Sequence, residues 1–381
     1  MKKVYFDNAA TTQLRNEVII CISEVLKTEY GNPSSTHSYG RSSKSLLENA
    51  RKEIAGLLNV SASEIIFTSG GTEADNLILI SAVRDLGVKR VISSRVEHHA
   101  VLHTLEWLNK NYDIVIDYVN LDKSGLVDYN DLDRLLSDAS EKTLVSLMHV
   151  NNEVGNLLDI KKVALLCKEH GALFHSDTVQ SIGHFKMDLK DIPIDFAAAS
   201  AHKFHGPKGV GFAFVRKNSG LQPLIHGGEQ ERGMRAGTEP VSNIAGMAEA
   251  LKISYRNLDK EHEYIADLKS YFIDKLKSSI PGVKFNGSCE DQENSTCKVL
   301  NICLPIAADK AMMLLFQLDL KGIACSKGSA CQSGSEGGSH VLNEILSEED
   351  LKKPSLRFSL SVFNNKDEID FVIEILKEFV N

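Results

Sequence analysis

The chain reads as an α/β protein: a mostly parallel seven-stranded sheet covered by helices, joined to a smaller α+β domain. Three observations carry that reading. From about Ile65 to Val215, short apolar runs alternate with longer amphipathic ones. Seven of the short runs have strand length, and composition shifts after about Ala248 toward a long polar stretch with few strand candidates beyond it. Strand–helix alternation needs crossover connections, and these give a parallel sheet buried on both faces.

Taken in order, the expected strands are Ile65–Phe67, Arg90–Ser93, Ile114–Tyr118, Leu144–Met148, Ala172–His175, Phe196–Ala199 and Gly211–Val215. Thr72–Val83, Ala100–Asn109 and Ile160–His170 carry helical patterning between them. Ala248 to Ile280 reads as one long helix bridging into the second unit. Beyond it come strands Val299–Leu304 and Ser355–Leu360 and helices Asp309–Leu318 and Lys366–Phe379. The last has Asn365 as candidate N-cap and Asp367, Glu368 and Asp370 in its first turns, where the helix dipole favours acids. The expected division is a large domain over 13–255 and a small one made of 1–12 and 256–381. The small domain carries a Gly/Ser-rich loop at about 326–340.

At 381 residues the chain is long for a single core. Hydrophobic content of 43% and charged content of 25% are those of an ordinary soluble protein. A net charge of −8 argues against a general nucleic-acid surface. No window approaches a membrane span, and the N-terminus lacks a signal-peptide apolar stretch. Seven scattered cysteines without a Cys-x-x-Cys pair point to reduced thiols and a cytoplasmic protein. No metal site is expected.

Lys203 ends the run Ile192-Pro-Ile-Asp-Phe-Ala-Ala-Ala-Ser200 within Ser200-Ala-His-Lys203. One run earlier, a strand ends in Asp177-Thr-Val-Gln180. Successive strands thus deliver an amine and a carboxylate to one sheet edge, where ligands of such sheets collect. Pyridoxal phosphate (PLP) needs that pair, the lysine for its aldehyde and the carboxylate for its ring nitrogen. Asp177 also reads as a helix N-cap. Thr68-Ser-Gly-Gly-Thr72 follows a strand and opens a helix, a site for an anion or a plain strand-to-helix turn. Ser200 and His202 are further phosphate donors. His98 suits ring stacking and proton transfer; an ordinary loop histidine, or a metal pair of His99 with His103, are the other readings. Arg357, in a strand-like alternation, is either a carboxylate clamp or a snorkelling edge arginine. Cys331 sits among Gly328, Ser329, Ala330, Gln332, Ser333 and Gly334, which build no apolar pocket. It reads as a presented nucleophile, with Lys327 a source of positive charge.

Together these motifs resemble the cysteine desulfurases of the NifS/IscS type, within the class V aminotransferase group of fold-type I PLP enzymes. The resemblance runs from Tyr5-Phe-Asp-Asn-Ala-Ala-Thr-Thr12 to Arg357-Phe-Ser-Leu. It includes Gly31-Asn-Pro-Ser34, Phe67-Thr-Ser-Gly-Gly-Thr-Glu73, Glu97-His98, His149-Val-Asn-Asn-Glu-Val-Gly155 and Arg232-Gly-Met-Arg-Ala-Gly-Thr238. It implies Lys203 as the Schiff-base amine, Asp177 at the ring nitrogen, Gln180 at the ring hydroxyl oxygen and His98 stacked on the ring. It places Gly71, Thr72, Ser200 and His202 at the phosphate, joined by Thr238 from the partner of a homodimer. Asn152 and Arg357 would bind the carboxylate of L-cysteine, and Cys331 would take its sulfur as a persulfide, leaving alanine. The implied acceptor is a protein such as an iron–sulfur scaffold. Three positions depart from the pattern. Gly71 stands where many relatives have alanine, an exchange expected to be harmless; Glu229 replaces a glycine; Cys325 adds a second thiol.

Three rivals follow from the same residues. A class V aminotransferase or a selenocysteine lyase would share Lys203 and Asp177 without depending on Cys331. A catalytically idle scaffold would be expected to lose that pair, which this chain keeps.

Overall fold

A computed structural model describes residues 2–138, 140–307, 313–327 and 338–380. Seven strands form the central sheet, in the order Ile65–Thr68, Gly211–Val215, Phe196–Ser200, Leu173–Asp177, Thr143–Ser146, Arg90–Ser93, Val115–Tyr118. All neighbours pair in parallel except Gly211–Val215, which runs antiparallel to both of its neighbours. Five of the seven strands are buried at every position, as the short apolar runs require of a sheet covered on both faces.

Apolar side chains gather on the two faces in separate groups. One holds Phe67, Ile92, Val145, Phe174, Phe204 and Phe212. The other holds Leu77, Ile78, Val91, Val101, Leu144 and Phe196. A third group lies apart, built from Val4 and Phe6 with residues between Ile265 and Leu376. It surrounds the sheet Ser355–Ser359, Val299–Cys303, Lys284–Phe285, which is antiparallel. The N-terminus is stitched to this part: Val4–Tyr5 pairs in parallel with Ile323–Ala324, and Asp7 bridges to Ser359.

The long helix expected over Ala248–Ile280 is two helices, Val241–Arg256 and Leu258–Ser279. Asn257 breaks them (φ −104°, ψ 8°), and its N–H closes the last turn of the first on Ile253. The second helix restarts with Asp259 and Glu261, acids that suit its N-terminus. Two N-terminal helices, Asn16–Thr28 and Ser38–Leu57, were not legible from the sequence pattern and pack against Val241–Arg256. In the last helix Asn365 does accept from the Glu368 N–H, at 3.1 Å.

Candidate active site

A cavity of about 270 Å³ opens at the carboxyl ends of the central strands. Strand Leu173–Asp177 delivers Asp177 to its floor, and parallel strand Phe196–Ser200 runs into a single tight turn, Ala201–Lys203. Burial raises the Asp177 carboxyl, while His98, the Val179 N–H and Lys203 pull it back down. That N–H donates to Asp177 Oδ1 at 2.9 Å, so the carboxylate is oriented by its own turn. Lys203 Nζ donates to the carbonyls of Ala9 (2.6 Å) and Ala10 (2.9 Å). Gln180 Nε2 also donates to Ala9 O, at 2.9 Å.

Helix Gly71–Leu86 starts at the cavity wall, with Gly71 and Thr72 lining it. Its unpaired N–H groups form an anion-binding end. Glu73 folds back to accept from the Ser69 N–H and is clamped by Arg235, at 2.8 and 3.2 Å, which fixes this turn. A β-carbon at Gly71 would lie 2.5 Å from Val179 Cγ2. With valine at 179, an alanine here would force Val179 or its turn to shift, whereas glycine fits without that contact.

His98 caps helix His99–Tyr112, its Nδ1 accepting from the Ala100 N–H at 3.1 Å. Burial lowers its pKa, with Asp177 opposing and Lys203 adding to the fall. His202 is pushed down to about 4 by burial and then by Lys203 and Lys208. Both rings are thus held neutral near pH 7.

Asn152 and Arg357 line the same cavity. Arg357 is buried rather than snorkelling, at 1% exposed. Its Nη1 donates to Asn152 O at 2.9 Å and its Nη2 to Asp7 Oδ1 at 2.8 Å.

Sequence reasoning missed a second tier of acids. Asp75, four residues into the helix from Gly71, also lines the cavity; burial, then Asp177 and Glu97, push its carboxyl well above the usual range. Its Oδ1 lies 3.3 Å from His175 Nε2, without hydrogen-bond alignment. Glu97 is raised to about 8 by burial, although Ser94 and the Met148 N–H donate to it. Period-two spacing of His175 and Asp177 on one strand was the available signal for the histidine. Nothing local marked Asp75.

Of the expected site residues, Lys203, Asp177, Gln180, His98, Gly71, Thr72, Ser200, His202, Asn152 and Arg357 all border this one cavity. Thr238 is exposed and does not line it. Cys331 lies outside the described residues. Cys325 has its thiol pushed up to about 12 by burial and then by Asp7, a poor setting for a nucleophile. His99 and His103 stack on each other (4.7 Å) rather than splaying around an ion. Among the described residues no group of three or more His, Cys, Asp or Glu could hold a metal.

The class-V aminotransferase family model matches residues 4–372. The chain belongs to this family. Class-V aminotransferases are PLP enzymes, and the cavity fits that cofactor. It offers an anion-binding helix end, a carboxylate for a protonated ring nitrogen and an amine for an aldehyde. The cysteine desulfurase IscS of Dictyoglomus turgidum is 39% identical over 381 residues, covering 100% of this chain and 95% of the relative. A solved NifS-like protein superimposes with a TM-score of 0.90 at 34% identity, covering 99% of each chain. A structure of SspA in complex with cysteine has a TM-score of 0.81 at 30% identity, covering 96% of this chain and 100% of that one. This class-V member thus shares its whole length, not one domain, with those proteins.

Proposed function

We propose that the protein is a PLP-dependent cysteine desulfurase that converts L-cysteine to L-alanine and passes the sulfur to a cysteine thiol. One observation carries the reading: Lys203 and Asp177 border a single cavity at the ends of adjacent strands, in a chain matching cysteine desulfurases along its full length. When bound, PLP supplies an electron sink that weakens the substrate's Cβ–Sγ bond.

The chain's own residues do the rest. Asp177 pairs with the ring nitrogen, and Gln180 faces the ring hydroxyl. Thr72, Ser200, His202 and the helix end at Gly71 hold the phosphate, with Thr238 supplied by the partner of a homodimer. Exposed Ile19, Ile20, Leu26 and Tyr30 on and after the first helix support such a dimer. Arg357 and Asn152 orient the substrate carboxylate. Lys203, released from its carbonyl partners, moves the proton at Cα, and His98, neutral near pH 7, stacks on the ring and is placed to accept a proton as a base. Cys331 takes the sulfur as a persulfide and hands it to an acceptor such as an iron–sulfur scaffold. The separate apolar group around Val4, Phe6 and 265–376 supports a small domain of 1–12 and 256–381 beside a large one of 13–255. No helix among the described residues is long and apolar enough to cross a membrane, and we place the protein in the cytoplasm.

The test is alanine and sulfide release from L-cysteine by purified protein with PLP and a thiol reductant. The parent should be active, Lys203→Ala inactive, and Cys331→Ala unable to form persulfide. A Cys331→Ala protein as active as the parent would favour a selenocysteine lyase or an aminotransferase. Full turnover in Lys203→Ala would end the scheme.

A further inference from the structure

Residues 7–12 form a strap across the cavity. Ala9 and Ala10 receive Lys203 and Gln180, while the Thr12 N–H and hydroxyl both donate to the His202 carbonyl. Ahead of them on this strap, Asp7 gathers a different set. Its Oδ1 accepts from Arg357 Nη2 at 2.8 Å and from the Ser326 hydroxyl at 2.8 Å. Ser326 and Arg357 are themselves paired, with N···O distances of 3.2 and 2.7 Å. Arg357 is 1% exposed, and its Nε is buried without a partner.

A guanidinium has five N–H groups. Two are committed, one to Asp7 and one to the Asn152 carbonyl. Each Nη therefore keeps one N–H, and both belong to a side chain that lines the cavity. A carboxylate needs two such donors in one plane. Without Asp7, the Arg357 side chain would lose its one ion-pair partner among the described residues, and of its two described side-chain hydrogen bonds only that to the Asn152 carbonyl would remain to set its plane.

We propose that Asp7 is a positioning residue for the substrate: it fixes the plane of the Arg357 guanidinium so that the two remaining Nη hydrogens meet a single α-carboxylate. The inference rests on the desulfurase reading and on Arg357 as its carboxylate clamp. It makes the site selective for an amino acid over the same thiol with its carboxylate masked, and it assigns that selectivity to a residue that does not touch the substrate.

The experiment compares L-cysteine with L-cysteine methyl ester, measuring KM and kcat for sulfide release by the PLP-loaded parent, Asp7→Ala and Asp7→Asn. PLP absorbance and thermal melting are recorded for each protein. Losing a charge-assisted hydrogen bond that holds the clamp raises KM for L-cysteine about tenfold in Asp7→Ala, with kcat changed less. The preference for L-cysteine over its ester falls by the same factor. Asp7→Asn keeps an acceptor oxygen and loses about threefold, which covers the case in which the alanine variant folds poorly. Equal losses on both substrates would mark Asp7 as merely structural, and an unchanged KM would equally overturn the proposal. A parent that binds PLP but releases no sulfide from L-cysteine would sink the desulfurase reading and this inference with it. An active parent with indifferent variants sinks the inference alone.

Discussion

Replacing Gly71 by Ala tests how closely the cofactor cradle is built. The new β-carbon would lie 2.5 Å from Val179 Cγ2, far inside van der Waals contact. Valine is stiff at χ1, and its N–H is committed to Asp177 Oδ1 at 2.9 Å. Relief must therefore come from moving the 177–180 turn, and with it the carboxylate at the cavity floor. Overpacking of this kind costs about 1–3 kcal/mol. Alanine's better helix propensity returns at most about 1 kcal/mol. The net expectation is a loss of about 1–2 kcal/mol, or roughly tenfold in PLP affinity if the strain is concentrated in the bound state. Val179→Ala removes the clashing methyl, so the double variant should recover most of that loss. The coupling between the two sites should be about 1–2 kcal/mol. Urea unfolding of the apo-protein and PLP titration of the parent, both single variants and the double variant close the cycle. A Gly71→Ala protein equal to the parent in both assays would refute the steric argument. So would strictly additive effects.

Two further expectations concern stability. Arg51 and Glu231 form a bidentate pair at 2.6 and 2.8 Å, both side chains at most 2% exposed, and Glu231 also accepts from the Phe67 N–H. Arg51→Met strands a buried carboxylate and should cost about 3–5 kcal/mol by urea unfolding; a change under about 1 kcal/mol would show that the pair is dispensable. His149 is pushed down to about 4 by burial. Its folded pKa lies below its unfolded value of about 6.5, so its contribution is present above that pH and lost as pH falls toward 4. Between pH 7 and 5 the parent should lose about 2 kcal/mol more stability than His149→Phe, and identical pH dependence in the two proteins would contradict the assignment.

Sequence alone determined what depends on local order. Apolar runs of strand length between amphipathic ones are enough for a parallel sheet, since burial on both faces demands them, and all seven runs are strands. A residue that ends such a run must emerge at the strand's carboxyl end, so Asp177 and Lys203 could be assigned to one sheet edge before any coordinates. The first two helices escaped this logic, because they precede the first strand of the central sheet, Ile65–Thr68, and so stand outside the strand–helix alternation that carried the reading. The break at Asn257 escaped it too, because asparagine is tolerated in a helix and its capping role shows only when two axes diverge.

Tertiary structure decided everything that depends on residues distant in the chain. Asp75 is an unremarkable helical acid until strand order sets His175 at 3.3 Å and Asp177 close enough to raise it. Gly71 is a small residue in a turn until the 177–180 turn brings Val179 against it. Arg357 had two readings, edge or clamp, and its partners are 350 positions away at Asp7 and 205 away at Asn152. Sequence patterning reports which face of an element is apolar. It carries no record of which elements meet, and a charge's pKa, a glycine's necessity and an arginine's orientation are all properties of that meeting.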